Sequence, residues 1–464
     1  MALDPALLQA LREAVGGEQL LTAPGDCWPY GGDNSRRHHA PDAVVLARDT
    51  ASVAAVVRAC HDFTTPLTTR GRGTGTAGGA VPLAGGVVLS LERMNRILEV
   101  DPDNRLLVAQ PGVLNAEIQR TAGEHGFFWP PDPTSAPFCT LGGNLGCNAA
   151  GPRAVKYGTT RENVLGLTAV TGDGSIVHSG TRTTKGVVGY DLTRLLIGSE
   201  GTLGVITEAT LRLTPKPEAV RTMQAVYRDA VAAAHAVARL MAQPVVPCAL
   251  ELLDGHALGL IRDADGVDLP EGADALLMIE VDGPASGLDE AVAAIDAASA
   301  VDGRLRFASA TDATAAARLW AVRKALSPAL RRIAPKKINE DVVVPVSHIP
   351  ALLDGVDRLA ARHAITIVSF GHAGNGNLHV NLLIDPDDPQ QMAAAAPCLD
   401  GLFDLVLQLG GTLSGEHGIG SEKRAYISRE LDPQALAVMH GIKRLFDPRA
   451  ILNPGKTLPD PLTR

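Results

Sequence analysis

No two cysteines in this chain are spaced C-x-x-C. The six (Cys27, Cys60, Cys139, Cys147, Cys248 and Cys398) are scattered over 464 residues. That excludes a disulfide scaffold, which is short and cysteine-dense, and points to a reducing compartment. Aromatics are 3% of the chain, no Lys/Arg run is present, and the formal net charge is −9. A polyanion has nothing to bind, so no nucleic-acid partner is expected. No stretch of about 18 apolar residues occurs, so no transmembrane span is expected. The N-terminus lacks the basic region and long apolar core of a secretory signal. It reads instead as a capped amphipathic helix, with Asp4 before Pro5 and Leu7, Leu8, Leu11 and Val15 on one face. Internal repeats and low-complexity linkers are also missing.

What is present is an ordinary globular balance, 45% hydrophobic and 20% charged, in a chain long enough for two or three domains. Residues 40–215 alternate short strands and helices. Strands are expected at 43–47, 66–70, 86–91, 106–110 and 203–214, and helices from Asp49 or Thr50 to about Cys60 and over 113–123. Gly172-Asp-Gly174 reads as the turn of a hairpin. Pro215-Lys-Pro217 is a plausible boundary. Beyond it, helices over 229–241, 286–298 and 311–327 alternate with strands at 275–281 and 341–345, an α+β pattern.

Two glycine-rich regions carry the chemistry. Arg70-Gly-Arg-Gly-Thr-Gly-Thr-Ala-Gly-Gly79 follows a strand. Its successive glycines expose backbone N–H groups, and Thr74 and Thr76 add hydroxyls, so the loop can hold an oxyanion. It is neither a Walker loop nor a Rossmann fingerprint, because Ala80-Val-Pro-Leu-Ala84 leads to a strand and no Gly-Lys-Ser/Thr follows. The second region is Ser369-Phe-Gly-His-Ala-Gly-Asn-Gly-Asn-Leu-His-Val-Asn381, followed by Ser414-Gly-Glu-His-Gly-Ile-Gly420. Strands at 365–370 and 378–384 make the first piece a hairpin that brings His372 and His379 together. Asn381 then shares a face with His379. Glu416 supplies an anionic third group, and two histidines with a carboxylate leave open positions on a divalent ion. His417 stands next to it, able to face the same space without ligating. Any one histidine is more often structural than a ligand; three with a glutamate in two glycine-bounded segments favour a site.

Three more segments follow the first loop: residues 130–150, Val155-Lys-Tyr-Gly158 and Ile197-Gly-Ser-Glu-Gly-Thr-Leu-Gly-Val-Ile206. In this order they resemble the flavin-binding domain of the vanillyl-alcohol oxidase (or p-cresol methylhydroxylase) family. The C-terminal pieces, with Ile-Leu-Asn-Pro-Gly-Lys456, resemble its FAD-linked D-2-hydroxyacid dehydrogenases: D-lactate dehydrogenase, the FAD subunit of glycolate oxidase and D-2-hydroxyglutarate dehydrogenase. The resemblance covers about residues 30–459. It implies an α+β fold: a two-subdomain FAD-binding domain of the vanillyl-alcohol oxidase type, an α+β substrate or cap domain, and a C-terminal segment returning to the flavin. The expected segments are 1–36 (N-terminal, helical), 37–217 (FAD-binding), 218–420 (cap, with the metal site) and 421–464 (C-terminal, helical, closing on FAD).

The resemblance also implies roles. Arg70, Gly71, Arg72, Gly73, Thr74, Gly75, Thr76 and Ala77 would wrap the FAD diphosphate. Pro131, Asp132, Thr140, Gly142, Gly143, Asn144, Gly146 and Asn148 would line the adenosine and ribityl parts. Glu200, Gly201, Gly204 and Ile206 would sit under the adenine side, and Asn453 would reach the flavin. Without a histidine in the diphosphate loop, FAD is expected to be non-covalent. His372, His379 and Glu416 would hold a divalent metal, with Zn²⁺ expected, and His417 would take the proton. Arg323, by itself readable as a solvated helix charge, would bind the substrate carboxylate, with Ser327 one turn later; Asn381, on the face of His379, would also meet the substrate.

The expected reaction is metal-assisted oxidation of a D-2-hydroxy acid to the 2-oxo acid by hydride transfer to flavin. Asn339 stands where the 2-hydroxyglutarate enzymes carry a substrate lysine, which favours D-lactate or a similar short acid. D-2-hydroxyglutarate dehydrogenase and the glycolate oxidase FAD subunit are the alternatives. Other classes are a zinc hydrolase using the C-terminal site alone and a non-catalytic flavin- or metal-binding subunit. A quinone, a cytochrome or an electron-transferring flavoprotein is compatible as electron acceptor. A cytoplasmic protein, peripheral contact with the inner face of a membrane and a homodimer are compatible as well.

Overall fold

The computed structural model describes residues 3–262, 267–333 and 336–460. Its contacts divide the chain into two units. One comprises the residues up to Gly151, Gly158–Lys216 and those from Glu416 on; the other comprises Pro152–Tyr157 and Pro217–Gly415. The division is therefore twofold, where four consecutive segments are expected from sequence. The N-terminal helix is built into the first unit, and the backbone leaves the second unit at Gly415 rather than after residue 420.

The first unit holds two main sheets. Strands β1 (Leu20–Leu21), β2 (Ala43–Leu46), β3 (Leu67–Arg70) and β4 (Val87–Ser90) lie in the order β1-β2-β4-β3. β4 runs parallel to β2 and to β3. β2 and β4 are buried throughout, as expected of parallel strands covered on both faces. The crossover from β2 to β3 is the helix Thr50–Asp62, capped by Asp49 and Ser52 in a reciprocal box, with Val53, Val56, Val57 and Cys60 buried. Leu7 and Leu11 of the helix Pro5–Val15 complete this core.

The second sheet is antiparallel: β5 (Ile97–Asp101), β6 (Leu106–Ala109), β8 (Val164–Val170), β9 (Ile176–Gly180) and β10 (Val205–Arg212), in the order β5-β6-β10-β8-β9. β7 (Phe127–Phe128) and β11 (Thr214–Pro215) form a separate short pair. The glycine- and asparagine-dense stretch after Pro133 reads as loop in the sequence, but residues Leu141–Cys147 form a helix. Thr140 caps it, accepting from the Gly143 N–H, and Leu141 and Leu145 are buried in the core. Capping and burial outweigh the low helix propensity of three glycines.

The second unit is one seven-stranded antiparallel sheet: β12 (Ala219–Tyr227), β13 (Ala249–Leu253), β14 (Ala275–Gly283), β15 (Arg304–Ser309), β16 (Lys336–Val343), β17 (Thr366–His372) and β18 (Asn377–Ile384). Their order is β15-β12-β14-β13-β17-β18-β16. The helices Gly255–Ile261 and Ala313–Ile333 pack on one face with Val226, Leu253, Leu276, Met278, Val368, Phe370 and Leu383. Side chains alternate along a strand, so residues two apart share that face. Glu251, His372, His379, Asn381, Asp341 and Asn339 therefore all point to the side of this cluster. No helix among the described residues is long and apolar enough to cross a membrane.

Candidate active site

In the first unit the loop after β3 brings its backbone close to its neighbours at the glycines. A Cβ on Gly71 would lie 2.4 Å from Thr140 Oγ1, and one on Gly78 would lie 2.3 Å from Ser421 Oγ. One on Gly75 would meet nothing within 4 Å. The loop is thus pressed against its walls and open at Gly75, which suits close approach of a ligand's oxyanion. Asn34 N–H holds the Gly75 carbonyl at 2.9 Å. The Arg70 guanidinium donates to the Gly32 carbonyl at 2.5 Å, so its charge braces the preceding loop.

The other expected cofactor residues lie in the same unit. Gly142 needs its missing side chain, because a Cβ there would stand 2.8 Å from Pro111 Cβ. Asn148 ends the Leu141–Cys147 helix in the left-handed region, its Oδ1 accepting from Thr159 Oγ1 and the Arg161 N–H at 2.9 Å each. The Pro131 carbonyl accepts from Asn115 Nδ2, and the Asp132 N–H donates to the Ala150 carbonyl. Gly204 and Ile206 lie at the start of β10.

Glu200 does something the motif alone did not reveal. Its buried carboxylate accepts from the N–H groups of Ile419 (2.6 Å) and Gly420 (2.7 Å). Burial raises its pKa, and those two N–H groups and the Lys456 and Lys423 charges pull the other way. Asn453 donates through Nδ2 to the Glu200 carbonyl (2.7 Å) and the Gly79 carbonyl (3.0 Å). Gly420 has φ +49°, and a Cβ there would lie 1.9 Å from the Ala77 carbonyl oxygen. The segment after His417 is thereby fastened to both the glycine-rich loop after β3 and the Glu200 turn. Asn453 Oδ1 and Thr69 Oγ1 are buried with no hydrogen-bond partner among the described residues. Such an atom costs roughly 1–3 kcal/mol. Open loop backbone and buried polar atoms awaiting a partner both fit a phosphate- and ribityl-bearing cofactor.

In the second unit, β17 and β18 form the hairpin expected from sequence. Phe370 pairs with His379 and Val368 with Asn381. The connection turns through Gly376 at φ +74°, where a Cβ would lie 1.9 Å from the Val344 carbonyl oxygen. His372 and His379 come together edge to face, ring centroids 5.3 Å apart, and both are buried. Asn381 is fully buried and donates through Nδ2 to the Val368 and His379 carbonyls. Its Oδ1 has no partner among the described residues, and neither does Asn339 Oδ1, directly across on β16.

Two carboxylates absent from the sequence reading complete this face. Glu251, on β13 opposite His372, hydrogen-bonds to His372 Nδ1 and lies 3.6 Å from Arg323 Nε. Burial by itself would raise the Glu251 carboxyl. The charges of His372, Arg323 and His379, with the His372 hydrogen bond, outweigh it and hold the carboxyl below its usual value. Arg323, on the helix Ala313–Ile333, stacks over the Phe370 ring at 4.8 Å and is mostly buried, not the solvated charge its sequence context alone suggests. The Ser327 side chain lies outside the described residues. Asp341, on β16 opposite His379, accepts from Ser414 Oγ (3.2 Å) and the Gly415 N–H (2.9 Å). Glu416 follows Gly415 directly in the sequence. The signal for Glu251 was a single acid inside an otherwise apolar run, Ala249-Leu-Glu-Leu-Leu253.

Comparison with known proteins agrees with this architecture. Residues 216–457 match the model of the FAD linked oxidases, C-terminal domain, and residues 41–180 match an FAD binding domain. The chain is 39% identical to "Glycolate oxidase subunit GlcD" of Bacillus subtilis, over 90% of this chain and 88% of that one. It is 36% identical to the Escherichia coli protein of the same name, over 98% and 91%. It is 37% identical to "D-lactate dehydrogenase" of Anaerostipes hadrus, over 90% and 89%. Among solved structures, p-cresol methylhydroxylase with substrate bound superposes with a TM-score of 0.81 over 99% of this chain and 97% of that one, at 18% identity. That likeness concerns the fold. With both family models matched and the relatives aligned along nearly its whole length, the chain belongs to the FAD-linked oxidases and is an FAD-dependent oxidoreductase.

Proposed function

We propose that the protein oxidises a 2-hydroxy acid of few carbons, D-lactate or glycolate, to the 2-oxo acid, using non-covalent FAD and a divalent metal. The observation that carries this reading is the pair of buried imidazoles, His372 and His379, on the helix-covered face of the sheet, with Glu251 and Asn381 on the same face and Arg323 on the covering helix. The buried amide oxygens of Asn381 and Asn339 left unpaired on this face are what a ligand would satisfy. The names of the relatives, a glycolate oxidase subunit and D-lactate dehydrogenases, support the substrate class.

His372, His379 and Glu416 are the groups that would hold the metal. Two imidazoles and a carboxylate suit Zn²⁺, Mn²⁺ or Fe²⁺, with positions left open for substrate. A metal held there would acidify the α-hydroxyl, and FAD would supply the acceptor for the C2 hydride. His417 takes the hydroxyl proton on a ring nitrogen. Arg323 pairs with the substrate carboxylate, and its stacking on Phe370 limits the freedom of the guanidinium. The Asn381 and Asn339 amide oxygens, buried and unsatisfied, accept from donors on the substrate or its bound water. Asn339 brings no charge to the far end, so a second carboxylate would be buried without a cation, a costly arrangement. This disfavours dicarboxylates such as 2-hydroxyglutarate.

The test is anaerobic reduction of the bound flavin by D- and L-hydroxy acids of increasing length, dicarboxylates included. D-lactate or glycolate should bleach the yellow absorbance, and the dicarboxylates should do so poorly. Chelation should abolish bleaching while FAD stays bound, and His417→Ala should slow it roughly 10²–10⁴-fold. Undiminished bleaching after complete metal removal would refute the metal role, and a flavin that no hydroxy acid reduces would refute the whole reading.

A further inference from the structure

We propose that Glu251 is a positioning residue, one carboxylate that seats both the His372 imidazole and the Arg323 guanidinium. The inference rests on the metal reading above and adds a residue to it. Glu251 is 1% exposed and lies in register with His372 across the β13–β17 pair. One carboxylate oxygen meets His372 Nδ1, and the other faces Arg323 Nε at 3.6 Å. A carboxylate can only accept, so Nδ1 carries the proton and Nε2 presents its lone pair. Nε2 is then the donor atom, and the ring's orientation is fixed by an anion that also makes it a stronger base.

The same anion acts on the substrate side. Arg323 stacks over Phe370, which lies in register with His379 on the next strand. Glu251 therefore ties the groups that would hold the metal to the group that would hold the substrate carboxylate. Two partners of different function, met by the two oxygens of one buried carboxyl, are what coordinated positioning requires. Removing Glu251 should thus loosen metal binding and substrate binding together.

The experiment compares Glu251→Ala, Glu251→Gln and His372→Ala, each purified with FAD, and measures zinc affinity by competition with a chromophoric chelator. Glu251→Ala should weaken zinc about 10- to 100-fold. Glu251→Gln, whose carbonyl can still accept from Nδ1, should fall between it and the parent protein and raise KM for the hydroxy acid more than it lowers kcat. If His372→Ala leaves zinc affinity unchanged, the metal reading itself fails. If His372→Ala weakens zinc while folded Glu251→Ala stays within twofold of the parent, only the role of Glu251 is overturned. Should the variants not fold, long-range ¹H–¹⁵N spectra of histidine-labelled parent protein decide instead. A proton on His372 Nδ1 is expected, and a proton on Nε2 would overturn the proposal.

Discussion

At the scale of single residues, the decisive features are buried charges with assigned partners. Glu200, Glu251 and Asp341 each use an acid in the interior to hold another segment: the Ile419–Gly420 backbone, the His372 ring, and the Ser414–Gly415 turn. Sequence reading found Glu200 through its motif and gave its carboxylate no task. It missed Glu251 and Asp341 because one acid in a strand has no periodic or spacing signature. Lys456 offers a pH test of this interior. Burial depresses its pKa to about 8 from 10.5, against the opposing pull of Asp33 and Glu200. Between those two pH values the unfolded protein keeps a proton that the folded protein lacks, so the group's contribution to stability rises with pH across that window. Stability of the FAD-stripped protein relative to Lys456→Met should therefore increase between pH 8 and 10.5, by at most about 3 kcal/mol. Denaturant titrations at both ends check this, and a flat difference would sink it.

At the scale of elements, the β17–β18 hairpin was readable in outline. Two apolar runs flank a glycine-rich turn, and the period of two already put His379 and Asn381 on one face. The element that differs most is β16. Its strand was expected over 341–345, and the observed Lys336–Val343 starts earlier and brings Asn339 directly opposite Asn381. The pairing partner, lying far along the sequence, decided that register. The hairpin turn itself is sensitive. Gly376→Ala would place a methyl 1.9 Å from the Val344 carbonyl oxygen at a positive φ. A loss of on the order of 2–4 kcal/mol is expected, and, if the proposed metal site holds, weaker zinc binding as well, because His372 and His379 flank the turn. Urea unfolding measures it; a change below about 0.5 kcal/mol would mean that the turn relaxes freely. The Leu141–Cys147 helix shows the opposite failing of local reading, with Thr140 and the Leu141/Leu145 spacing the overlooked signals.

At the scale of the whole molecule, the first unit is assembled from three stretches of sequence, the last beginning at Glu416. The residues expected to line FAD, from Arg70 to Asn453, belong to that unit, so bound FAD should stabilise it by mass action. At a free concentration a hundred times its dissociation constant, FAD should add about 2.7 kcal/mol and raise the thermal midpoint; a midpoint indifferent to FAD would contradict the assignment. The sequence by itself determined the glycine-rich loop after β3, the histidine hairpin, the Gly-Glu-His-Gly segment and the family, because each depends on residues close together along the backbone or on ordered motifs. Only the tertiary structure decided that Glu251 meets His372 and Arg323, that Glu200 fastens the segment after His417, and that Asn339 faces Asn381. Those contacts join residues tens to hundreds of positions apart, and strand order and register, which local pattern does not encode, set which side chains meet.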